Sequence, residues 1–529
     1  MNTHTSDRPP TRIALVGGGA AAVCLLDRLA RTPAPGGGSI TVFEPSGNLW
    51  RGRAYQHDTD AVLANIIPAE MSARAGDPDD FLRWLRESEL PYGQGDYAAD
   101  GHFPPRRVFG GYLERTAENA IAALSLGGRP VDLVRDAVVA AREAGDEVVL
   151  TTSDGRRHTF DYVVCAVGAG RPADHYELGG SPGYFGDPYP LRDTVAAVPR
   201  TADVTVLGTG LAAVDAVVSL AAHGHRGRIT MASRNGALPA VRQRPVFPEV
   251  RRFTPAALHA AAARTADGRI ALGDVLDLLA AELAAHGADP SLVLAELFSL
   301  AGEAPIDRLR RQYADIDAAD PGMRIMQHAV PESGPDAWTL MRSEDQEFIR
   351  ENHYRAVMSL CCPMPPANAR KLLALHEEGR LRVLSGLWNV KPLARDGFHV
   401  AADGGEYESD VVVNAVSAPS HRVPAQARPF VDSLVEDGIG EYHPHGGLHV
   451  EPSTSRAVGA GRAHRRMHAI GDMGAGTLFF TSGMPSVLER ADDIVRALVE
   501  DLTTGPHATD HPDATGHAAV PTPFQEQPA

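Results

Sequence analysis

Gly17-x-Gly19-x-x-Ala22 and Gly208-x-Gly210-x-x-Ala213 each join an apolar, strand-like run to an Ala/Leu-rich helix. The spacing has a chemical meaning. The first glycine permits a tight turn, the second lets the backbone approach a pyrophosphate, and the alanine lets helix pack closely on strand. Free N–H groups at the helix start then face the phosphates with the positive end of the dipole. One such turn is a weak signal. Two in the same local context imply a chain that holds two dinucleotides and moves a hydride between them.

The residues beyond each turn differ. Glu44 ends the strand after the first helix, where a carboxylate can accept hydrogen bonds from ribose hydroxyls. After the second turn the strand Arg228–Met231 runs into Ala232-Ser233-Arg234-Asn235, and no carboxylate awaits a ribose 2′-hydroxyl. Ser233 and Arg234 suit a 2′-phosphate instead, a charge-assisted contact of about 1.5–3 kcal/mol. That favours NADPH over NADH; the alternative is an Arg234 that simply points to solvent. Arg242, Arg244, Arg251 and Arg252 form a basic run just beyond. Its default reading is a solvated surface, its functional one a further hold on phosphate or on an acidic substrate.

Two more segments favour FAD in the first turn. Arg51-Gly52-Arg53-Ala54-Tyr55 follows the second strand, and Ile470-Gly471-Asp472 is an apolar approach ending in Gly-Asp before a helix start at Met473-Gly474-Ala475-Gly476. On these residues the chain resembles the two-dinucleotide flavoproteins, which include disulfide reductases, amine N-hydroxylases and Baeyer–Villiger monooxygenases. The resemblance implies that Asp472 meets the ribityl or phosphate portion of the flavin. It also implies that the run Val163–Gly168, ending in Gly168, is the second FAD-side motif. Within that group the chain is most similar to the bacterial FAD–NAD(P)-binding proteins, through Gly52-Arg53-Ala54-Tyr55, Leu63-Ala64-Asn65-Ile66 and Pro105-Arg106-Arg107-Val108-Phe109-Gly110-Gly111-Tyr112-Leu113. The likeness covers most of residues 12–502 and is weakest in the helical stretch. It implies that Tyr55, Asn65 and Arg106 lie near the flavin; each is equally readable as a packed or solvated residue.

The chemistry is narrowed by what the chain lacks. Flavin disulfide reductases need a pair of redox thiols, and Cys24 and Cys165 lie far apart inside expected core elements. Cys361 and Cys362 are adjacent, and a vicinal disulfide is strained, so two buried thiols are expected. A monooxygenase needs no triad or metal: oxygen insertion goes through a flavin hydroperoxide in a dry pocket. Tyr184-Phe185-Gly186-Asp187-Pro188-Tyr189-Pro190 lacks the His and Trp of the Baeyer–Villiger fingerprint. N-hydroxylation of a small amine or amino acid remains, by likeness and elimination. His443, His445 and His449, and again His464 and His468, read as solvated histidines in polar loops, not as metal ligands.

Composition sets the frame. At 529 residues two or three domains are expected. Fifty Lys and Arg against 67 Asp and Glu leave a net charge of −17, which argues against nucleic acid as a partner. Four cysteines fit a reducing compartment. The stretch Ile13–Leu26 has the outline of a signal peptide, but Gly17–Gly19 breaks it and Asp27-Arg28 closes it. No run approaches the roughly 20 apolar residues of a membrane span. A cytoplasmic chain without a membrane partner is expected.

The fold class that follows is α/β, with two Rossmann-type three-layer dinucleotide-binding domains and a helical insertion. We assign residues 11–170 and 430–502 to an FAD-binding domain and residues 190–254 and 380–429 to an NADPH-binding domain. Residues 255–379 form a mainly helical, substrate-capping insertion, and 503–529 a disordered tail, as are residues 1–10. The expected function is an FAD-dependent, NADPH-consuming monooxygenase acting on a small molecule with molecular oxygen. The alternatives are a reductase passing electrons to a partner or quinone, and a non-catalytic nucleotide sensor.

Overall fold

The structure is a computed structural model that describes residues 10–33, 37–88, 90, 92, 103–246, 248–298, 302–416, 423–481 and 483–504. Most of both expected tails lies outside the described residues. The last helix, Met484–Thr504, runs slightly past the point where the tail is expected to begin.

Two parallel sheets carry the fold. The first has six strands in the order Arg456–Gly459, Arg462–Ala469, Tyr162–Cys165, Thr11–Val16, Gly38–Phe43 and Val131–Val134, with only the outermost hairpin antiparallel. The second runs Leu381–Leu384, Ile229–Ala232, Val204–Leu207, Val411–Asn414 and Tyr184–Phe185, parallel throughout. Strands buried on both faces read as unbroken apolar runs, as Val204–Leu207 and Val411–Val413 do. The chain visits each sheet, leaves it, and returns. Strand 411–414 closes the second sheet beside 204–207, and strand 462–469 closes the first beside 162–165.

Register decides where chemistry can occur. Val16 pairs with both Phe43 and Cys165, and Cys165 with Ala469, so the carboxyl ends of the four central strands lie level. Leu207 likewise pairs with Ala232 and Asn414. Gly17, Glu44, Gly168 and Asp472 therefore gather along one sheet edge, and Gly208 and Ser233 along the other. Ligands of open α/β sheets bind at such edges.

The stretch Pro255–Glu377 is helical and builds its own core around Phe253, Leu258, Ile270, Leu279, Ile325 and Leu360. Its longest helix, Gly322–Leu340, packs against Ala475–Leu478 and Met484–Thr504 of the first half. Two small antiparallel sheets, 138–160 and 389–409, flank the parallel ones. Among the described residues no helix is long and apolar enough to cross a membrane.

Candidate active site

The first glycine turn is closed by backbone. Gly17 has φ +112°, its N–H donates to the Phe43 carbonyl at 2.9 Å, and a Cβ there would overlap the Ala166 carbonyl oxygen. Gly19 begins the helix Ala20–Arg31 with no side chain capping it. A Cβ on Gly19 would meet nothing nearer than the Gly52 Cα, at 3.7 Å. Two glycines thus lie close together at an uncapped helix start, whose free N–H groups supply the polarity a pyrophosphate requires. Glu44 stands beside it, accepting hydrogen bonds from the N–H groups of Gly18 (2.9 Å) and Ser46 (2.8 Å). Each carboxylate oxygen keeps a lone pair for a ribose hydroxyl. Ala22 is fully buried, as close packing of helix on strand demands. Gly168, with φ +68° and open space around it, and the half-buried Asp472 lie along the same edge. Burial pushes the Asp472 carboxyl up while the Thr481 side chain pulls it down.

The three segments that carry the family likeness converge next to this edge. Leu63 and Pro105 form an antiparallel bridge, and the Arg106 N–H donates to the Val62 carbonyl at 2.8 Å. Arg51 is buried, clamped bidentately on Glu114 with both contacts at 2.6 Å and on the Arg107 carbonyl at 2.9 Å. Gly110 is a glycine because a Cβ would strike the Tyr55 carbonyl and the Arg51 guanidinium. Tyr55 packs its ring on Phe109 at 4.8 Å, and burial pushes its hydroxyl up to about 12. Asn65 receives the Arg242 Nε on its carbonyl at 2.7 Å. The Arg106 guanidinium pairs with Asp215, on the helix that follows the second turn, at 2.8 Å.

The second turn repeats the first. Gly208 has φ +103°, and a Cβ would lie 2.9 Å from the Ala415 carbonyl oxygen. Gly210 opens the helix Leu211–Ala222 uncapped, and Ala213 is fully buried. The Ser233 hydroxyl lies 3.0 Å from that of Thr209 and accepts the Gly236 N–H at 2.9 Å. Arg234 is exposed and has no ion-pair or hydrogen-bond partner for its side chain among the described residues. The basic run beyond it is no continuous solvated face. Arg242 is buried, Arg244 pairs with Asp317, and Arg251 with Glu249.

Facing the segment after Asp472 is a wall of aromatic rings. Phe479, with φ +64°, stacks on Trp338 at 4.3 Å, and the guanidinium of Arg350 lies 4.8 Å over that indole. Arg350 donates to the Gly476 carbonyl at 3.0 Å, and burial lowers its pKa to about 10. The helical stretch is therefore in contact with the carboxyl edge of the first sheet. No sequence pattern marks Trp338, Arg350 and Phe479 as neighbours.

Cysteine chemistry is absent from this edge. All four thiols are free. Burial pushes Cys165 up to about 12, and raises Cys24, Cys361 and Cys362 as well, so none is a ready thiolate. The histidines correct the sequence reading. His464 and His468 lie on the strand Arg462–Ala469, and His468 has no exposed surface, with Nδ1 3.0 Å from the Thr454 carbonyl oxygen. Burial holds it neutral, with a pKa of about 4. His443, His445 and His449 are half-buried in mutual ring contact, not freely solvated. Among the described residues no group of three or more His, Cys, Asp or Glu is arranged to hold a metal ion.

Residues 14–170 match the family described as FAD-NAD(P)-binding. No curated protein matches the chain in sequence. Solved structures do match in fold. L-lysine 6-monooxygenase from Pseudomonas syringae is 15% identical, with 94% of this chain and 100% of that one covered at a TM-score of 0.55. The ornithine N-hydroxylase of Kutzneria sp. 744 is 16% identical, with 93% and 99% covered at 0.54. The cadaverine monooxygenase of the desferrioxamine pathway from Erwinia amylovora is 11% identical, with 97% and 100% covered at 0.51. The chain shares the fold of these structures over nearly its whole length.

Proposed function

We propose that the chain is an FAD-dependent, NADPH-consuming monooxygenase of a small molecule, and that it N-hydroxylates an amine or amino acid. One observation carries the reading: two uncapped glycine turns on level sheet edges, one with a ribose-ready carboxylate (Glu44) and one with an exposed cation (Arg234) that has no ion pair among the described residues. Glu44, Gly19, Gly168 and Asp472 would hold FAD; Gly208, Gly210, Ser233 and Arg234 would hold NADPH. When bound, the flavin supplies hydride acceptance and oxygen activation. The chain's part is to bind, orient and exclude water. The ring wall of Trp338, Phe479 and Tyr354 provides apolar cover at the first edge. Lysine, ornithine and cadaverine, in the names of the fold neighbours, support an amine substrate.

The test is product analysis. Purified protein loaded with FAD is given NADPH, air and a panel of diamines and amino acids, and products are weighed by mass spectrometry. A product heavier than its amine by one oxygen atom is expected. NADPH consumption with peroxide as the sole product across the panel would instead favour the reductase reading.

A further inference from the structure

Arg106, in the segment Pro105–Leu113, reaches across to the second domain. Its Nη2 lies 2.8 Å from Asp215 Oδ2, with side-chain exposures of 16% and 2%. The Tyr189 hydroxyl donates to that same oxygen at 2.6 Å, Arg106 Nη1 donates to the Tyr189 hydroxyl at 3.3 Å, and Arg106 Nε to the Leu63 carbonyl at 3.1 Å. Asp215 is the single charged residue of the helix Leu211–Ala222, the helix that starts at the second glycine turn. Further contacts surround the cluster. Arg53 pairs with Asp187 at 2.6 Å and lies 4.9 Å over the Tyr189 ring. Asp58 accepts the N–H groups of Leu191 and Arg192, each at 2.8 Å, at the start of the helix Leu191–Ala197. The hydroxyls of Thr59 and Ser219 lie 3.3 Å apart.

Buried apolar surfaces can slide. A buried ion pair with a shared hydroxyl has one geometry, and leaving either charge alone is strongly unfavourable. The cluster also sits between the cofactor turns. Arg53 follows Gly52, which faces Gly19, and Asp215 lies on the helix that Gly210 opens.

We propose that Arg106, Asp215 and Tyr189 form the joint that sets the angle between the two dinucleotide domains, and are positioning residues for hydride transfer from the second dinucleotide to the first. The inference rests on the two-dinucleotide oxidoreductase reading above. In the step it serves, a proton with two electrons leaves the dihydronicotinamide, which is oxidised, and is taken up by the flavin, which is reduced. Such transfer needs reacting atoms about 3–3.5 Å apart, and an error of about 1 Å lowers the rate on the order of 100-fold.

The test uses the full chain with Asp215→Asn, Arg106→Met, Arg106→Lys and the apolar double variant R106M/D215L. Flavin reduction by saturating NADPH is followed in a stopped-flow instrument without air. Amide hydrogen exchange of Leu191–Ala197 and Leu211–Ala222 is measured in the cofactor-free chain. Asp215→Asn and Arg106→Met are expected to slow reduction at least about tenfold, with FAD retention unchanged and half-saturating NADPH shifted less than about threefold. Exchange in both helices rises, and Arg106→Lys recovers part of the rate. If either single variant fails to fold, R106M/D215L decides: a folded but slow protein supports the joint. A double variant that reduces its flavin within about twofold of the parent, with exchange unchanged, overturns it. A parent that NADPH never reduces overturns the oxidoreductase reading instead, and the exchange data still decide whether the joint exists.

Discussion

At the first glycine turn the charged side chains Glu44 and Arg51 are already held, Glu44 by two backbone N–H groups and Arg51 by Glu114. At the second, Ser233 is tied to Thr209 and Gly236, but Arg234 is exposed with no ion pair or hydrogen bond to its side chain among the described residues. The backbones are near copies, with φ +112° at Gly17 and +103° at Gly208. The difference is one of charge held in reserve. A pre-organised, internally satisfied cradle suits a cofactor that stays bound, while a free cation suits one that arrives and leaves with its own negative charge.

The largest expected effect comes from closing the cradles. Gly17→Ala puts a Cβ into the Ala166 carbonyl at a backbone angle that L-residues avoid, and should weaken FAD binding by about 3 kcal/mol, on the order of 100-fold. Gly208→Ala meets Ala415 less severely, at 2.9 Å. It should leave a yellow protein with a raised half-saturating NADPH. FAD titration and NADPH saturation curves separate the two; equal losses of FAD in both would erase the contrast.

Arg234→Ala should reduce the preference for NADPH over NADH by about 1.5–3 kcal/mol, roughly 10- to 100-fold, while NADH kinetics barely move. A fall in both coenzymes alike would mean that Arg234 does not meet the 2′-phosphate.

The first sheet also carries a proton sensitivity that the strands of the second lack. His468 is buried neutral with a pKa of about 4, against an ordinary value near 6.5. The unfolded chain therefore binds more protons between these values, and stability falls as pH drops through that window, by up to about 1.4 kcal/mol per pH unit. Arg456 and His464 push in the same direction. Melting temperatures of His468→Gln should show a shallower slope between pH 6.5 and 4; an unchanged slope would exclude His468 as the source.

Glu44→Gln is the mildest change, expected to weaken FAD binding by about 1 kcal/mol, roughly fivefold. The amide keeps one acceptor for Gly18 or Ser46 and loses the other. Calorimetric titration with FAD measures it.

The nucleotide units were legible in the sequence because local rules decide them. Gly17 and Gly19 mark where the helix starts, and it spans Ala20–Arg31. The second helix, Leu211–Ala222, follows Gly210 in the same way. The flanking antiparallel sheets were missed because their strands are short and Glu147–Thr152 alternates in burial but not in polarity, with apolar Val149 between buried Val148 and Leu150; Gly145 and Gly405, both at positive φ, were signals of the turns. His464 and His468 misled because Arg462–Ala469 is rich in Arg and His yet forms a strand whose last residues are buried. Asp215 was the readable clue left unused: a lone carboxylate in an apolar helix must find a partner. Nothing local could reveal that the partner was Arg106.

The most direct test is anaerobic reduction of the FAD-loaded protein by NADPH carrying deuterium at the transferred position. If a hydride passes between two cofactors held at these turns, flavin absorbance bleaches, and bleaches more slowly with the deuterated coenzyme. A flavin that stays oxidised under NADPH, or a protein that takes up no flavin, contradicts the account.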